Sequence, residues 1–293
     1  MIQIDKVSII SSLLWPCERL VKASLAGALA ANTVIEGLTW LTHFRPRSDD
    51  IFIVSYPRSG TTWMQMLLYQ LTSDGNMNFE HISEKIPFFE NNVLQESFFE
   101  ERASPRIFKT HLMHMAIPKG PCRYIYVTRD GRDVAVSYYH FYCSHLGCKE
   151  PFHRFFERFL SGRVQYGSWF SHVAKWRKRQ GKDQILFVHY EDLLRDLLGT
   201  SRKIALFLGL LFDDSVARRI SERCTFGYMK DHESQFDFTT EVKLLGKAKK
   251  DAFIRSGRAG GWASTLNSAQ TAAFNAKFEE YCLRSLEPIK ESP

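Results

Sequence analysis

Residues 51–63 read IFIVSYPRSGTTW, an apolar run followed by a turn that contains proline and glycine. The first four residues are β-branched or aromatic, which is typical of a strand buried on both faces of a parallel sheet. The helical pattern MQMLLYQL follows directly at 64–71. A strand, a tight loop and a helix N-terminus in this order form an anion site, because backbone N–H groups and the positive end of the helix dipole face the loop. No Lys-Ser/Thr pair follows Gly60, so the loop does not have the Walker pattern of magnesium-dependent kinases and ATPases.

Strand and helix patterns alternate beyond this stretch. Ile51–Tyr56 and three further apolar runs, Arg106–Lys109, Tyr124–Thr128 and Gln184–Tyr190, predict strands. This alternation predicts an α/β fold with a central, mainly parallel sheet flanked by helices. The segments with helical spacing are Thr61–Leu71, Gly131–Tyr142, Phe152–Leu160, Ser168–Arg179, Thr200–Leu208 and Ser268–Leu286.

We expect one domain over residues 1–293, since no internal repeat and no Gly/Ser-rich or Pro-rich linker divides the chain. Residues 1–48 read as an N-terminal helical arm. Within it, Leu25–Leu41 falls short of the roughly 20 apolar residues that a membrane span needs, so we expect an amphipathic surface helix there and no span. The basic stretch 231–261 has no periodicity and reads as a long loop, and loops of that length usually have a function or are disordered.

Charge and cysteine content narrow the function classes. The 39 Lys and Arg residues against 32 Asp and Glu residues give a formal charge of +7, which favours anionic partners such as nucleotides, nucleic acid or acidic lipid. The six cysteines form no CxxC pair and have no regular spacing, so we expect a reducing, cytoplasmic setting. Cys143 and Cys148, with His140 and His145 nearby, match no common zinc spacing. We therefore expect no metal and interpret these cysteines as buried structural residues.

A second strand, turn and helix lies at 123–141 and reads RYIYVTRDGRDVAVSYYHF. Arg129 follows the predicted strand at its carboxyl end, where ligands bind in open α/β sheets. Ser137 lies two helical turns further on, on a face that can also reach this crevice. An ion pair of Arg129 with Asp130 or Asp133 is an equally good interpretation of the motif alone.

Five separated motifs together resemble the cytosolic-type sulfotransferases, which move a sulfuryl group from 3′-phosphoadenosine 5′-phosphosulfate (PAPS) to an acceptor. YPRSGTTW resembles the 5′-phosphosulfate loop of the family, and TRDGRDVAVSYYHFY resembles its 3′-phosphate motif. KTHL at 109–112 is similar to the strand that carries the catalytic histidine. FVHYED at 187–192 and FIRSGRAGGW at 253–262 resemble further nucleotide contacts. The resemblance implies a P-loop-like nucleotide-binding fold, PAPS as co-substrate and adenosine 3′,5′-bisphosphate (PAP) as product.

The resemblance also implies roles for individual residues. The transferred group would meet His111, Lys109 and Arg58, and the basic loop at 231–261 would cover the nucleotide. The 5′-phosphosulfate would be bound by Arg58, Ser59, Gly60, Thr61 and Thr62, the adenosine by Trp63, Tyr190, Cys224, Thr225 and Phe226, and the 3′-phosphate by Arg129, Ser137, Arg255, Ser256 and Gly257. Phe88 and Phe141 would line the acceptor pocket beside His111.

The proposed chemistry needs these residue types. An acceptor hydroxyl is a poor nucleophile, so a neutral His111 would remove its proton as in-line attack proceeds. Lys109 and Arg58 would stabilise the charge that grows on the leaving phosphate. An apolar wall at Phe88 and Phe141 would suit a phenol, a steroid-like compound or another hydrophobic alcohol, and an amine is also possible chemically.

Three departures from the family pattern have consequences. Arg58 stands where the family usually has Lys, which we expect to affect the transfer rate more than nucleotide binding. RSG at 255–257 replaces Arg-Lys-Gly, so Ser256 removes one cation, and GGW at 260–262 replaces Gly-Asp-Trp. The short dimer motif of the family falls on Ala263, Asn267, Ser268 and Ala272, which retain none of its residues. We therefore expect a monomer, or a dimer that uses another surface.

Two alternatives to an active enzyme for small molecules stay open at this point. A nucleotide-binding protein of the same fold with weak catalysis would agree with Arg58 and Ser256, although Lys109 and His111 argue against it. A nucleic-acid binder could use the cations between Lys243 and Arg258, but stacking aromatic residues are nearly absent there. We favour the enzyme and expect no nucleic-acid partner.

Overall fold

The computed structural model describes residues 44–90, 96–182, 184–237 and 252–286. Four strands form one parallel sheet in the order β2-β1-β3-β4: β1 Ile51–Ser55, β2 Ile107–Thr110, β3 Arg123–Thr128 and β4 Ile185–His189. The α-helices are α1 Thr61–Thr72, α2 Glu96–Glu100, α3 Gly131–His145, α4 Phe152–Leu160, α5 Trp169–Arg177, α6 Tyr190–Arg195, α7 Leu197–Leu208, α8 Asp214–Arg223, α9 Phe226–Asp231 and α10 Ser268–Leu286. Short 3₁₀ turns cover Ile82–Glu84, Glu233–Gln235 and Gly261–Ser264.

The sheet is covered by side chains on both faces, as the run IFIV predicts. Ile51 and Ile53 belong to one core cluster, with α1 residues such as Leu67, whereas Phe52 and Val54 belong to another. This alternation follows from the two-residue period of a strand. A central parallel sheet flanked by helices is therefore confirmed.

Several predictions about segments and about cysteine burial need correction. Residues 1–43 of the predicted helical arm lie outside the described residues, and 44–48 are not helical. Residues 238–251 of the loop predicted for 231–261 also lie outside them. In the described remainder, α9 ends at Asp231, one 3₁₀ turn covers Glu233–Gln235 and another begins at Gly261. Cys143 and Cys148 are half-buried free thiols rather than buried ones. No helix in the described part of the chain is long and apolar enough to cross a membrane.

A buried ion pair joins the starts of the two neighbouring strands β1 and β2. Arg106 donates from Nε to Asp50 Oδ1 at 2.7 Å and from Nη2 to Asp50 Oδ2 at 2.8 Å. Both side chains are fully buried. Arg106 also donates to the backbone carbonyls of Phe99 and Arg45, so its fork is bound on several sides. Removing Asp50 would leave the buried charge of Arg106 without its buried partner.

We therefore predict that Asp50→Ala lowers the free energy of unfolding by about 3–5 kcal/mol, because Arg106 stays buried and keeps only the exposed Glu100, 3.5 Å from its Nη1, as a carboxylate partner. Urea denaturation measures this change. The exposed pair of Arg195 with Asp192 serves as control, and Arg195→Ala should change the free energy by less than about 1 kcal/mol. Equal effects of the two substitutions would contradict the prediction.

Candidate active site

The loop after β1 has the backbone of an anion site. Arg58 has a φ of 67° and Gly60 a φ of 105°, and a non-glycine residue in the left-handed region is uncommon. Gly60 is the N-cap of α1 and provides no side-chain hydrogen bond, and no acidic residue lies in the first turn. The positive end of this helix therefore faces the loop with neither a side-chain cap nor a neighbouring carboxylate to compensate it.

Gly60 is required by the close approach of Tyr190. A Cβ at position 60 would lie 2.8 Å from the Tyr190 ring, which is buried. Trp63 meets the same ring edge to face at 5.3 Å, and its Nε1 donates to the carbonyl of Cys224 at 2.7 Å. The loop, α1 and the start of α6 are thereby packed together.

Arg129 lies at the carboxyl end of β3, beside this loop. Its guanidinium lies 4.3 Å from the centroid of the Tyr190 ring, and Nη1 donates to the Arg58 carbonyl at 3.4 Å. Nη2 donates to the Arg258 carbonyl at 2.8 Å and lies 3.9 Å from Asp133 Oδ2, a loose form of the predicted ion pair. Nε is buried and has no hydrogen-bond partner among the described residues.

Arg58 completes a group of three neighbouring guanidinium groups. Its Nη2 donates to the Phe253 carbonyl at 2.9 Å and its Nε to Ser137 Oγ at 3.3 Å. Burial and the positive charges of Arg129 and Arg255 lower its pKa to about 10. The fold thus holds like charges close together at the carboxyl edge of the sheet, an arrangement that favours an anion.

His111 follows β2, on the other side of β1. Its Nδ1 lies 2.7 Å from the Ser55 carbonyl oxygen, which can only accept, so Nδ1 carries the proton. Burial, with Lys109, His172 and Arg58, lowers the pKa of the ring to about 3. His111 is therefore neutral at pH 7, with the lone pair on Nε2.

Aromatic rings surround His111. The Phe88 ring lies 5.3 Å from its centroid and the Tyr166 ring lies 5.0 Å away, both edge to face. Lys109 Nζ lies 5.2 Å from the centroid of Phe88, and the lysine side chain is largely buried. Phe141 lies farther along, 5.3 Å from the guanidinium of Arg58. Lys109 and His111 thus meet a largely apolar surface.

Buried groups hold the backbone of His111 from two sides. Its N–H donates to Glu90 Oε1 at 2.8 Å, and its carbonyl accepts from His172 Nε2 at 3.2 Å. His172 Nδ1 in turn accepts from the hydroxyl of Tyr126 at 2.9 Å. Because Glu90 and His172 come from different elements, they fix where the imidazole can point.

The segment 252–260 lies over the loop after β1. The Phe253 ring is 4.6 Å from the guanidinium of Arg58. Gly257 has a φ of 57°, and a Cβ there would overlap the ring of Phe226. Asp133 accepts from the N–H of Gly260 at 2.7 Å and from that of Trp262 at 3.0 Å. The helix α3 therefore anchors the end of this segment.

The structure brings most of the predicted site residues to the carboxyl edge of the sheet. Arg255 is exposed, and its charge acts on both Arg58 and His140. Thr225 caps α9 by accepting from the N–H of Tyr228, and Cys224 is buried below it. Sequence reasoning missed the contacts made by Ser55, Glu90, Tyr166 and His172. It named Asp133 only as a partner of Arg129 and Phe253 only within the motif at 253–262. Only the positive φ of Tyr166, next to a glycine, has a local sequence correlate.

The free energy of unfolding should depend on pH through the buried carboxyl of Glu90. Burial raises the pKa of its carboxyl from 4.5 to about 7, although hydrogen bonds and Lys109 oppose the shift. The folded protein therefore binds this proton more tightly than the unfolded chain does. The corresponding stability is present below pH 4.5 and is lost as the pH rises through about 7.

We predict that Glu90→Gln removes this loss and raises the free energy of unfolding at pH 8 by about 2–3 kcal/mol relative to wild type, since the amide oxygen can still accept from His111 without a charge. Denaturant titrations between pH 4 and 8 measure the effect. Glu157→Gln, at an exposed site on α4, serves as control. Parallel pH profiles for wild type and Glu90→Gln would contradict the assignment.

Comparison with known proteins agrees with this geometry. The sequence profile of a family described as "Sulfotransferase domain" matches residues 48–286. Sulfotransferase 1B1 of Canis lupus familiaris is 35% identical over 254 residues, which cover 82% of this chain and 86% of that protein. Sulfotransferase 1C2 of Homo sapiens is 31% identical over 274 residues, which cover 89% and 91%.

A solved structure shows the same relation. Mouse sulfotransferase SULT7A1, crystallised in complex with PAP, has a TM-score of 0.70 at 29% identity, and the match covers 84% of this chain and 89% of that one. The resemblance inferred from the five motifs is confirmed: the chain belongs to the sulfotransferase family.

Proposed function

We propose that the chain transfers a sulfuryl group from PAPS to a hydroxyl, or an amine, of a small hydrophobic acceptor. The observation that carries the proposal is the charge at the carboxyl edge of the sheet. Arg58, Arg129 and Arg255 stand close enough that two of them lower the pKa of the third. They adjoin a helix N-terminus that has no side-chain cap. A ligand with phosphate groups at both ends of a nucleoside would relieve this repulsion.

The residues present fit such a donor. Arg129 Nε is buried without a partner among the described residues, and a phosphate oxygen of a bound donor would accept its hydrogen bond. The loop 56–60 and the first turn of α1 would hold the 5′-phosphosulfate. Ser137, Arg129 and the segment 255–257 would hold the 3′-phosphate. The aromatic group of Trp63, Tyr190 and Phe226 would accommodate the adenine, with Cys224 and Thr225 beside it.

His111 would act as the general base. PAPS supplies the sulfuryl group and a phosphate that leaves with the electron pair of the broken S–O bond. The acceptor oxygen forms the new bond to sulfur, and its proton passes to His111 Nε2, whose lone pair is free because Nδ1 is bonded to Ser55. A bound polyanion would also raise the low pKa of His111, which strengthens the base when the donor is present. Lys109 and Arg58 supply positive charge in a largely water-free setting.

The acceptor is inferred only as a class. Phe88 and Tyr166 present ring faces and edges next to His111, and Phe141 continues this surface towards Arg58. Such a pocket favours phenols, steroid-like compounds or other apolar alcohols.

One observation favours a second candidate, a nucleotide-binding member of the fold with weak catalysis. The guanidinium of Arg58 is bonded to the Phe253 carbonyl and to Ser137. It must give up or share these bonds if it is to bind the donor. Binding and turnover therefore need to be measured separately.

We predict that PAP stabilises the chain far more than AMP does, because the 3′-phosphate adds charge-assisted bonds to Arg129 and Ser137. At about 100 times its Kd, PAP should raise the free energy of unfolding by about 2.7 kcal/mol. Arg129→Ala should weaken PAP binding by roughly 10- to 100-fold. Thermal shifts and calorimetry measure both effects, and Arg218→Ala, an exposed site on α8, is the control. Equal stabilisation by PAP and AMP would exclude the proposed 3′-phosphate site.

We predict that His111→Ala lowers turnover by about a hundredfold or more while PAP affinity stays unchanged, because only the proton acceptor is lost. His114→Ala, three residues along the same loop, is the matched control and should keep turnover near wild type. Melting temperature, PAP affinity and turnover are measured on one preparation of each variant. Near-normal turnover of His111→Ala would remove this residue from the mechanism.

A further inference from the structure

A second group of cations lies at the opposite edge of the sheet from the nucleotide loops. Lys119 precedes β3, and Lys175, Lys178, Arg179 and Lys182 lie at the C-terminal end of α5 and before β4. Because all four strands are parallel, residues that precede β3 and β4 lie at the amino edge, whereas the loop 56–60 and Arg129 follow β1 and β3 at the carboxyl edge. We call these five cations, with Met113 and Met115, the amino-edge patch.

Contacts place the members of the patch side by side. Lys119 Nζ lies 3.3 Å from His114 Nε2, and the His114 ring packs edge to face on Trp176 at 5.1 Å. Lys175 Nζ lies 3.5 Å from Met113 Sδ and 3.8 Å from Met115 Sδ. The loop 113–119 is thus seated against the last turns of α5.

The five cations of the patch lie close together, and no carboxylate in the described part of the chain pairs with them. Partial burial and the charge of Arg179 lower the pKa of Lys119 to about 8, and burial with Lys119 and Arg179 lowers that of His114 to about 4. The lowered pKa values show that the positive charges of the patch repel one another.

Neither the nucleotide nor the helix explains the whole patch. A nucleotide at the carboxyl edge is at the wrong end of the strands. Cations at a helix C-terminus complement the helix dipole, which accounts in part for Lys175 and Lys178. The helix dipole does not account for Lys119, which belongs to another segment. It also does not account for Met115, an apolar side chain that is 72% exposed among these cations.

We propose that the amino-edge patch docks the protein on an anionic phospholipid surface. Clustered lysines attract such a surface, and an exposed apolar side chain between them can enter the headgroup region. Trp176 is fully buried and His114 packs against it, so the patch offers little for bases to stack on. This composition favours lipid over single-stranded nucleic acid, which needs exposed stacking rings.

The path of the chain near residue 46 agrees with a phospholipid surface at the amino-edge patch. Pro46 packs against Gly120, so close that a Cβ on Gly120 would lie 2.7 Å from it. The segment that connects to residues 1–43 therefore enters the described structure next to Lys119. Those residues lie outside the described part of the chain, and their sequence includes the largely apolar stretch Leu25–Leu41. A largely apolar sequence that joins the fold beside a basic patch supports a lipid surface as the partner, since peripheral membrane binding combines apolar burial with attraction to anionic lipids.

The test is flotation of the full chain with lipid vesicles. Vesicles of phosphatidylcholine with one third phosphatidylserine should bind the protein, and pure phosphatidylcholine vesicles should bind it much less. Salt near 1 M, where the Debye length falls to about 3 Å, should release it. Lys175→Gln with Lys178→Gln should weaken binding by about 25-fold, at about fivefold per cation.

A matched control removes the same charge elsewhere. Lys203→Gln with Arg218→Gln, at exposed positions on α7 and α8, should leave vesicle binding close to wild type and checks that net charge alone is not responsible. All variants should keep the melting temperature and PAP affinity of wild type. Met115→Ser should weaken vesicle binding, and the wild-type protein should not bind a short RNA oligonucleotide through the patch.

Equal binding to neutral and anionic vesicles, or equal losses in the two double variants, would overturn the proposal. Binding of the RNA through Lys175 and Lys178 in the absence of vesicle binding would assign the patch to nucleic acid instead.

Discussion

The site depends on the position of β1 between β2 and β3. The register pairs Val54 with Thr110 and Ser55 with Val127, so His111 emerges on one side of the loop 56–60 and Arg129 emerges close by on the other. The chain leaves β1 towards β2 and leaves β3 towards β4, which makes the β1/β3 boundary a topological switch point. A crevice opens there because the two connections diverge. One strand order thus places both the loop 56–60 and the neighbouring His111.

The electrostatics of the two sides of β1 differ and complement each other. On the β3 side, Arg58 and Arg129 are held near each other. The fold tolerates their repulsion because backbone carbonyls accept their N–H groups and aromatic rings pack against their guanidinium groups. On the β2 side, burial together with Lys109, His172 and Arg58 lowers the pKa of His111 and keeps it neutral. A polyanionic donor would reverse both effects at once, since it neutralises the arginines and raises the basicity of the imidazole. The negative charge of the proposed donor is therefore complementary to the positive charge of Arg58 and Arg129.

Local sequence patterns predicted the sheet and most helices because their signals are short in range. Phe152–Leu160 has the predicted bounds, and β1 ends one residue early because Tyr56 begins the turn. Ser168 was included in its helix, whereas it is the N-cap whose Oγ accepts from the N–H of Ser171. Such errors of one or two residues reflect caps, which a pattern of apolar spacing does not resolve.

The contacts that position the site could not be predicted in this way. Glu90 binds the backbone of His111 across 21 residues, His172 binds it across 61, and Asp133 binds Gly260 across 127. No periodicity joins residues so far apart, and the partners in each case are backbone atoms, which leave no trace in the residue types. The resemblance to a family predicts which residues touch the ligands and does not extend to those that hold these residues in place.

The central claim, that this edge of the sheet moves a sulfuryl group, is tested most directly by a transfer assay with ³⁵S-labelled PAPS. Phenols, steroids, aliphatic alcohols and amines are offered in parallel, and labelled product is separated from labelled donor. The account predicts label in at least one hydrophobic hydroxyl acceptor, together with one equivalent of PAP for each product formed. Donor binding without labelled product from any acceptor class would contradict it and would identify the chain as a nucleotide-binding member of the fold.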